Sequence, residues 1–285
     1  MKKWHLLLIL ALASILLTAC NGGNKAQGEE NTTVKVGIRS SEIKTWDYIA
    51  EQAKKEGINL ELVTLSAQVD PNQTLADGDI DINAFQHVAY LNLFNLNNGT
   101  DIQPIGTTII APLGLYSNKH DSLDDLKEGA SIAVPNDPSN WGRALLLLQE
   151  HGLLTVSDDF DGNGGEDRIK ENPKNLEIIP VEGATTPRVM DDTDFAIINN
   201  GTAVQAGLYL SDAIIHENET AKPFINVIAA KAKDVENDVY QKIVEIYQSE
   251  ETAKLIEETY NGNFIPVKLT LEELSTWKEV YSYND

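Results

Sequence analysis

Phe85, His87 and Tyr90 stand close together in the run Asp81-Ile82-Asn83-Ala84-Phe85-Gln86-His87-Val88-Ala89-Tyr90-Leu91. A histidine between aromatic side chains, where an alternating strand gives way to a helix, suits one wall of a ligand pocket, because such junctions line the crevice of open α/β sheets. The competing reading makes Phe85 and Tyr90 core and His87 a hydrogen-bonded junction residue. Arg143 offers a rigid fork of donors suited to a carboxylate. Ser139 and Asn140 lie at helical spacing from it, on the same face, and the nearby helix start adds partial positive charge. Its alternative is a surface arginine paired with one of the chain's 44 acids. Asn199 and Asn226 each follow or sit in an apolar strand pattern. Their side chains offer oxygens to an ammonium and amide donors to a carboxylate, although asparagine after a strand is also a common turn residue.

The elements that must position these residues are legible as alternating strands and helices. Residues 34–38 alternate as a first strand, Ile43, Trp46, Ile49, Ala50 and Ala53 mark a helix face, and residues 60–65 form a second strand. That order argues a right-handed βαβ unit and a largely parallel sheet. A short helix is expected over 71–76, then the Asp77-Gly78 turn. Next come a strand whose apolar Ile80, Ile82 and Ala84 form one buried face, and a helix through Tyr90, Leu91 and Phe94. An apolar, β-branched stretch covers 107–115. Ser122 and Asp125 fit a capping box starting a short helix, and Asp137 and Pro138 fit the N-cap and first turn of another. Strands are expected at 131–135, 176–181, 195–198 and 224–230, helices at 203–208, 239–247, 250–260 and from Thr270. No internal repeat is present.

The first 19 residues read as a signal peptide: Lys2 and Lys3, an apolar run over 6–17, then Thr18-Ala19-Cys20. Cys20 is the only cysteine. It has no intramolecular disulfide partner, which favours lipid attachment over a structural role. Residues 20–33 read as a polar tether. The formal charge of -22, more negative still without Lys2 and Lys3, opposes nucleic acid and anionic lipid as partners. The residues 159–164 match the start of a calcium loop. Lys170 stands where the bidentate glutamate would be required, so a solvated turn is expected. His5, His87, His120, His151 and His216 never fall at metal-ligand spacing, so no metal and no cofactor is expected. The absence of a G-x-S-x-G elbow argues against a secreted hydrolase.

Longer runs carry a resemblance. Leu17-Thr18-Ala19-Cys20 resembles a lipobox. To it are added Gln73-Thr74-Leu75-Ala76-Asp77-Gly78-Asp79-Ile80-Asp81, Phe85-Gln86-His87 with Tyr90-Leu91, Asn136-Asp137-Pro138-Ser139-Asn140 with Gly142-Arg143-Ala144-Leu145, and Asn226-Val227-Ile228. The chain is similar over almost its whole length to the NlpA family of methionine-binding lipoproteins, the substrate receptors of methionine ABC importers. The resemblance implies an α/β, two-lobed periplasmic-binding-protein-like (type II) fold with a cleft between lobes. Lobe 1 would comprise 34–115 plus 228–285, and lobe 2 116–227, with crossings near 112–118 and 223–230. It implies a non-enzymatic, monomeric receptor, lipid-anchored on the extracytoplasmic face of the cell membrane, that delivers its ligand to a permease with a cytoplasmic ATPase. Phe85, His87 and Tyr90 would box the methionine side chain, Arg143 would bind its carboxylate beside Asn140, and Asn199 and Asn226 would orient the head. Two departures bear on the ligand. Gln68 stands where many relatives have tyrosine, giving the box a polar side. Arg39-Ser40-Ser41-Glu42-Ile43-Lys44 replaces a loop rich in glycine and proline. The expected ligand is L- or D-methionine or a small derivative, with a methionine-containing dipeptide or a more polar amino acid as alternatives.

Overall fold

A computed structural model describes residues 32–217 and 222–281. The signal segment and Cys20 lie outside the described residues. The chain runs β1 (Thr32–Ile38), α1 (Ile43–Lys55), β2 (Ile58–Thr64), α2 (Pro71–Asp77), β3 (Ile82–His87), α3 (Val88–Asn98), β4 (Ile102–Ile110) and β5 (Gly114–Tyr116). It continues through β6 (Ser131–Pro135), α4 (Pro138–Glu150), β7 (Thr155–Val156), β8 (Ile169–Glu171), β9 (Glu177–Val181), β10 (Phe195–Ile198), α5 (Asn200–Gln205) and β11 (Ile215–His216). Last come β12 (Ile225–Lys231), α6 (Asp238–Tyr247), α7 (Glu250–Tyr260), β13 (Ile265–Pro266) and α8 (Leu271–Ser275).

These strands form two main sheets, ordered β13-β4-β12-β3-β1-β2 and β11-β5-β10-β6-β9, with β7 and β8 as a separate pair. β1 is parallel to β2 and β3, as the βαβ pattern requires, and β12 returns antiparallel between β3 and β4. Helices cover the first sheet on both faces. Trp46, Ile49 and Ala53 of α1 are fully buried in one core with Ile243 of α6, while Leu75, Leu91 and Leu274 belong to a second core. The second sheet packs Leu113, Leu115, Ile132 and Val134 against Ala144, Leu145 and Leu148 of α4. Burial on both faces explains why so many of the strands read as continuous apolar runs.

The chain leaves the first sheet after Ile110 and enters the second at Gly114; it returns between His216 and Ile225. The boundaries drawn from sequence, 115/116 and 227/228, therefore cut β5 and β12. The first change of sheet falls at Ala111-Pro112-Leu113, before β5, and the second in the polar stretch of sequence ahead of Ile225. Three smaller expectations are corrected. At 122–125 there is a single 3-10 turn, with Ser122 Oγ accepting from Asp124 N at 3.1 Å. α5 begins at Asn200, not near Ala203. β3 is buried on both faces, not one: Asn83 is fully buried, bonding Asn72 Oδ1 at 2.9 Å and Pro71 O at 3.1 Å. An amide cluster of Asn72, Asn83 and Gln86 lets those polar groups leave water without losing partners.

Candidate functional site

The strand ends of the two sheets enclose a cavity of about 410 Å³ whose lining includes Phe85, His87, Tyr90, Asn140, Arg143, Asn199 and Asn226. Local structure presents the first three. Along β3, Ala84 pairs with Ile228 and Gln86 with Val227, so Phe85 is an extra residue. Such a bulge bends the strand and re-aims a side chain. His87 then caps α3: its Nδ1 accepts from Tyr90 N at 3.1 Å. Phe85 and His87 each meet the Tyr90 ring edge-on, at 6.0 and 6.2 Å between centroids.

The same cap settles the histidine tautomer. An Nδ1 that accepts must carry a lone pair, so the proton of the neutral ring is on Nε2. Nε2 lies 3.3 Å from Asn140 Oδ1. Burial, and then the positive charge of Arg143, push the His87 pKa down to about 3, so the ring is neutral at pH 7. Asn140 is oriented by the cap of its own helix: Asp137 accepts from Asn140 N at 3.0 Å, and both carboxylate oxygens accept from Asn140 Nδ2 at 3.0 Å. Its amide oxygen is thereby turned to His87 and to Asn199 Nδ2, which donates at 2.7 Å. One amide thus joins a side chain of the first sheet to one of the second. Asn226 faces His87 in the register of β12 and β3 and is half-buried at the cavity wall.

Arg143 is 2% exposed. Its Nε donates to Glu217 Oε1 at 2.7 Å, and its Nη2 donates to Glu217 Oε2 at 2.5 Å and to Ala111 O at 3.0 Å. Glu217 Oε2 also accepts from Leu113 N at 2.8 Å, and the Phe224 ring lies 4.3 Å from the guanidinium carbon. Three of the five guanidinium hydrogens are therefore committed. This corrects the sequence expectation of an open fork: the Nε/Nη2 edge belongs to Glu217, which leaves Nη1 uncommitted among the described residues. Ala111 and Leu113 lie on one passage between the sheets and Glu217 begins the other, so Arg143 is tied to both.

A family model described as NlpA lipoprotein matches residues 34–268. The chain belongs to the NlpA family. It is 39% identical over 266 residues to a probable D-methionine-binding lipoprotein, MetQ, of Vibrio cholerae, covering 92% of this chain and 98% of that protein. It is 33% identical to the lipoprotein YhcJ of Bacillus subtilis, covering 99% of this chain and 100% of that one. Among solved structures, a nutrient-binding protein from Burkholderia cenocepacia bound to methionine superposes with a TM-score of 0.78 at 40% identity, over 82% of this chain and 99% of that chain. The fold is the two-lobed α/β fold of the periplasmic substrate-binding proteins, with the cavity between the lobes.

Within this NlpA chain, seven of the eight ligand-site residues named from sequence line the cavity. Gln68 does not: it is exposed, at the third position of a turn closed by Val69 N to Ser66 O at 3.1 Å, while Ser66 and Ala67 line the cavity instead. Four residues of consequence were missed. Glu217 and Phe224 hold Arg143, and Phe224 also meets the His87 ring edge-on at 5.4 Å. Arg39 lines the cavity with its guanidinium 5.3 Å from the Phe85 centroid and its Nη1 donating to Leu65 O at 3.0 Å and to Ser66 O. Glu42 lines it too, 5% exposed, and burial pushes its carboxyl up to about 8, opposed in part by Tyr247. The replaced loop at 39–44 was the one signal that pointed to Arg39 and Glu42. In the acidic loop, Arg168 Nη2 reaches Asp161 Oδ1 at 3.2 Å and its Nη1 reaches Asp159 Oδ2 at 3.7 Å, so a side-chain cation occupies the carboxylates that the calcium match would use. Gly142 packs α4 on this loop: a Cβ there would stand 2.4 Å from Gly162 O.

Proposed function

We propose that this protein is the substrate receptor of an ABC importer and binds L- or D-methionine or a small methionine derivative. It delivers the ligand to a membrane permease with a cytoplasmic ATPase. It works as a monomer without cofactor or catalysis, on the extracytoplasmic face of the cell membrane, held by a lipid on Cys20. The observation that supports this reading most is the meeting of His87, Asn140 and Asn199 beside Arg143, where groups from both lobes converge on one cavity. A zwitterion taken out of water needs charge-assisted partners at both ends. Arg143 Nη1 serves the carboxylate, and the amide oxygens of Asn199 and Asn226 serve the ammonium. A thioether gains from aromatic edges such as those of Phe85 and Tyr90. His87 is unsuited to act as a base, since Nδ1 is taken by a backbone donor and Nε2 carries the proton.

Titration calorimetry with L- and D-methionine tests the ligand. Methionine at ~100 times its dissociation constant stabilises the fold by about 2.7 kcal/mol, read as a rise in melting temperature. A rise with another amino acid but none with methionine keeps the receptor and discards this ligand. For the anchor, Cys20→Ser moves the protein from the membrane to the soluble fraction; full retention in the membrane removes Cys20 from that role.

A further inference from the structure

The cavity contains a second guanidinium that a methionine side chain does not use. Arg39 lies over Phe85, Phe85 meets Tyr90, Tyr90 meets His87, His87 meets Phe224, and Phe224 lies against Arg143. A row of aromatic rings thus runs between two arginines. Both bonds that Arg39 makes use Nη1, and among the described residues its Nε and Nη2 hydrogens have no acceptor. The surrounding wall is polar: Ser40, Ser41, Ser66, Glu182 and Thr202 line the cavity. An uncharged methyl thioether ending there would face unmatched donors, which costs free energy. The volume of about 410 Å³ falls in the range of roughly 300–1,000 Å³ typical of small-molecule sites.

The charges at this end select among polar tails. The carboxylates of Asp70 and Glu182 both act on Arg39 electrostatically. Asp70 is occupied in capping α2, accepting from Asn72 N at 2.7 Å and Gln73 N at 3.2 Å. With two acids around one cation, a purely anionic tail is opposed, whereas a tail carrying both charges is matched. Resting on the methionine-type reading above, we propose that the cavity accepts thioether amino acids whose side chain ends in a second amino-acid head group. Arg39 takes the second carboxylate and Glu182 the second ammonium, while the sulfur lies along Phe85 and Tyr90.

The test compares L,L-cystathionine with L-methionine by titration calorimetry on the full chain. The inference expects cystathionine to bind at least tenfold tighter than methionine. It also expects Arg39→Leu to raise the ratio of the cystathionine to the methionine dissociation constant by tenfold or more, with Glu182→Ala moving that ratio in the same direction. Methionine binding with cystathionine rejected overturns this inference and leaves the methionine reading standing. So does an unchanged ratio in Arg39→Leu. Binding of neither compound overturns both. Should Arg39→Leu fail to fold, the wild-type comparison alone decides.

Discussion

The two arginines of the cavity are held in opposite ways. Arg143 is deep, lies over the Phe224 ring and is paired edge-on with Glu217, its position set by both passages between the lobes. Arg39 is half-buried, leans on Phe85 and touches only backbone carbonyls. A buried guanidinium must bring its counter-charge with it, because an unpaired charge in low dielectric is strongly destabilising. A half-buried one keeps partial access to water and can exchange it for ligand groups. The difference separates a guanidinium committed to the fold from one that keeps its Nε and Nη2 hydrogens uncommitted among the described residues.

Breaking the committed end should have the largest effect. Glu217→Ala leaves Arg143 buried without its carboxylate, and about 3–5 kcal/mol of folding stability is lost, measured by urea unfolding. A loss below about 1 kcal/mol would show that Arg143 finds another partner and that the contrast between the two arginines is false.

Glu42 probes the less committed end, since it follows Arg39 on the same loop. Its folded pKa of about 8 lies above the ordinary value of 4.5, so the unfolded chain releases its proton first. The stability associated with its neutral form is therefore complete below pH 4.5 and is lost as pH rises towards 8. Relative to Glu42→Gln, which cannot ionise, the wild type should lose on the order of 3 kcal/mol between pH 4.5 and 7. Parallel pH profiles for the two proteins would mean that Glu42 is ionised in the fold.

The smallest effect sharpens the comparison at the ligand. Arg143→Lys keeps a charge near Glu217 but loses the planar donors, and methionine affinity should fall by about 1–3 kcal/mol, roughly ten- to a hundredfold. Calorimetry that finds the affinity unchanged would take Arg143 out of ligand contact and leave it as a partner for Glu217 alone.

What could be read from the chain itself was whatever a few neighbouring residues decide. Asp70 before Pro71 and Asp137 before Pro138 cap their helices because a side-chain oxygen needs only to reach amides two or three positions ahead. The alternating and helical periods placed β1, α1, β2 and β3, and the short span from Phe85 to Tyr90 placed three cavity residues at one junction. Arg143 and Asn140 share a face of α4 for the same local reason. Tertiary structure alone decided the rest. Glu217 lies 74 residues from Arg143, and no spacing in the chain distinguishes it from the other acids. The bulge at Phe85 exists only in the pairing of β3 with β12, and the burial of Glu42 comes from packing beside Tyr247. Short-range hydrogen bonds and side-chain periodicity are properties of a segment; counter-charges, strand register and desolvation are properties of segments brought together.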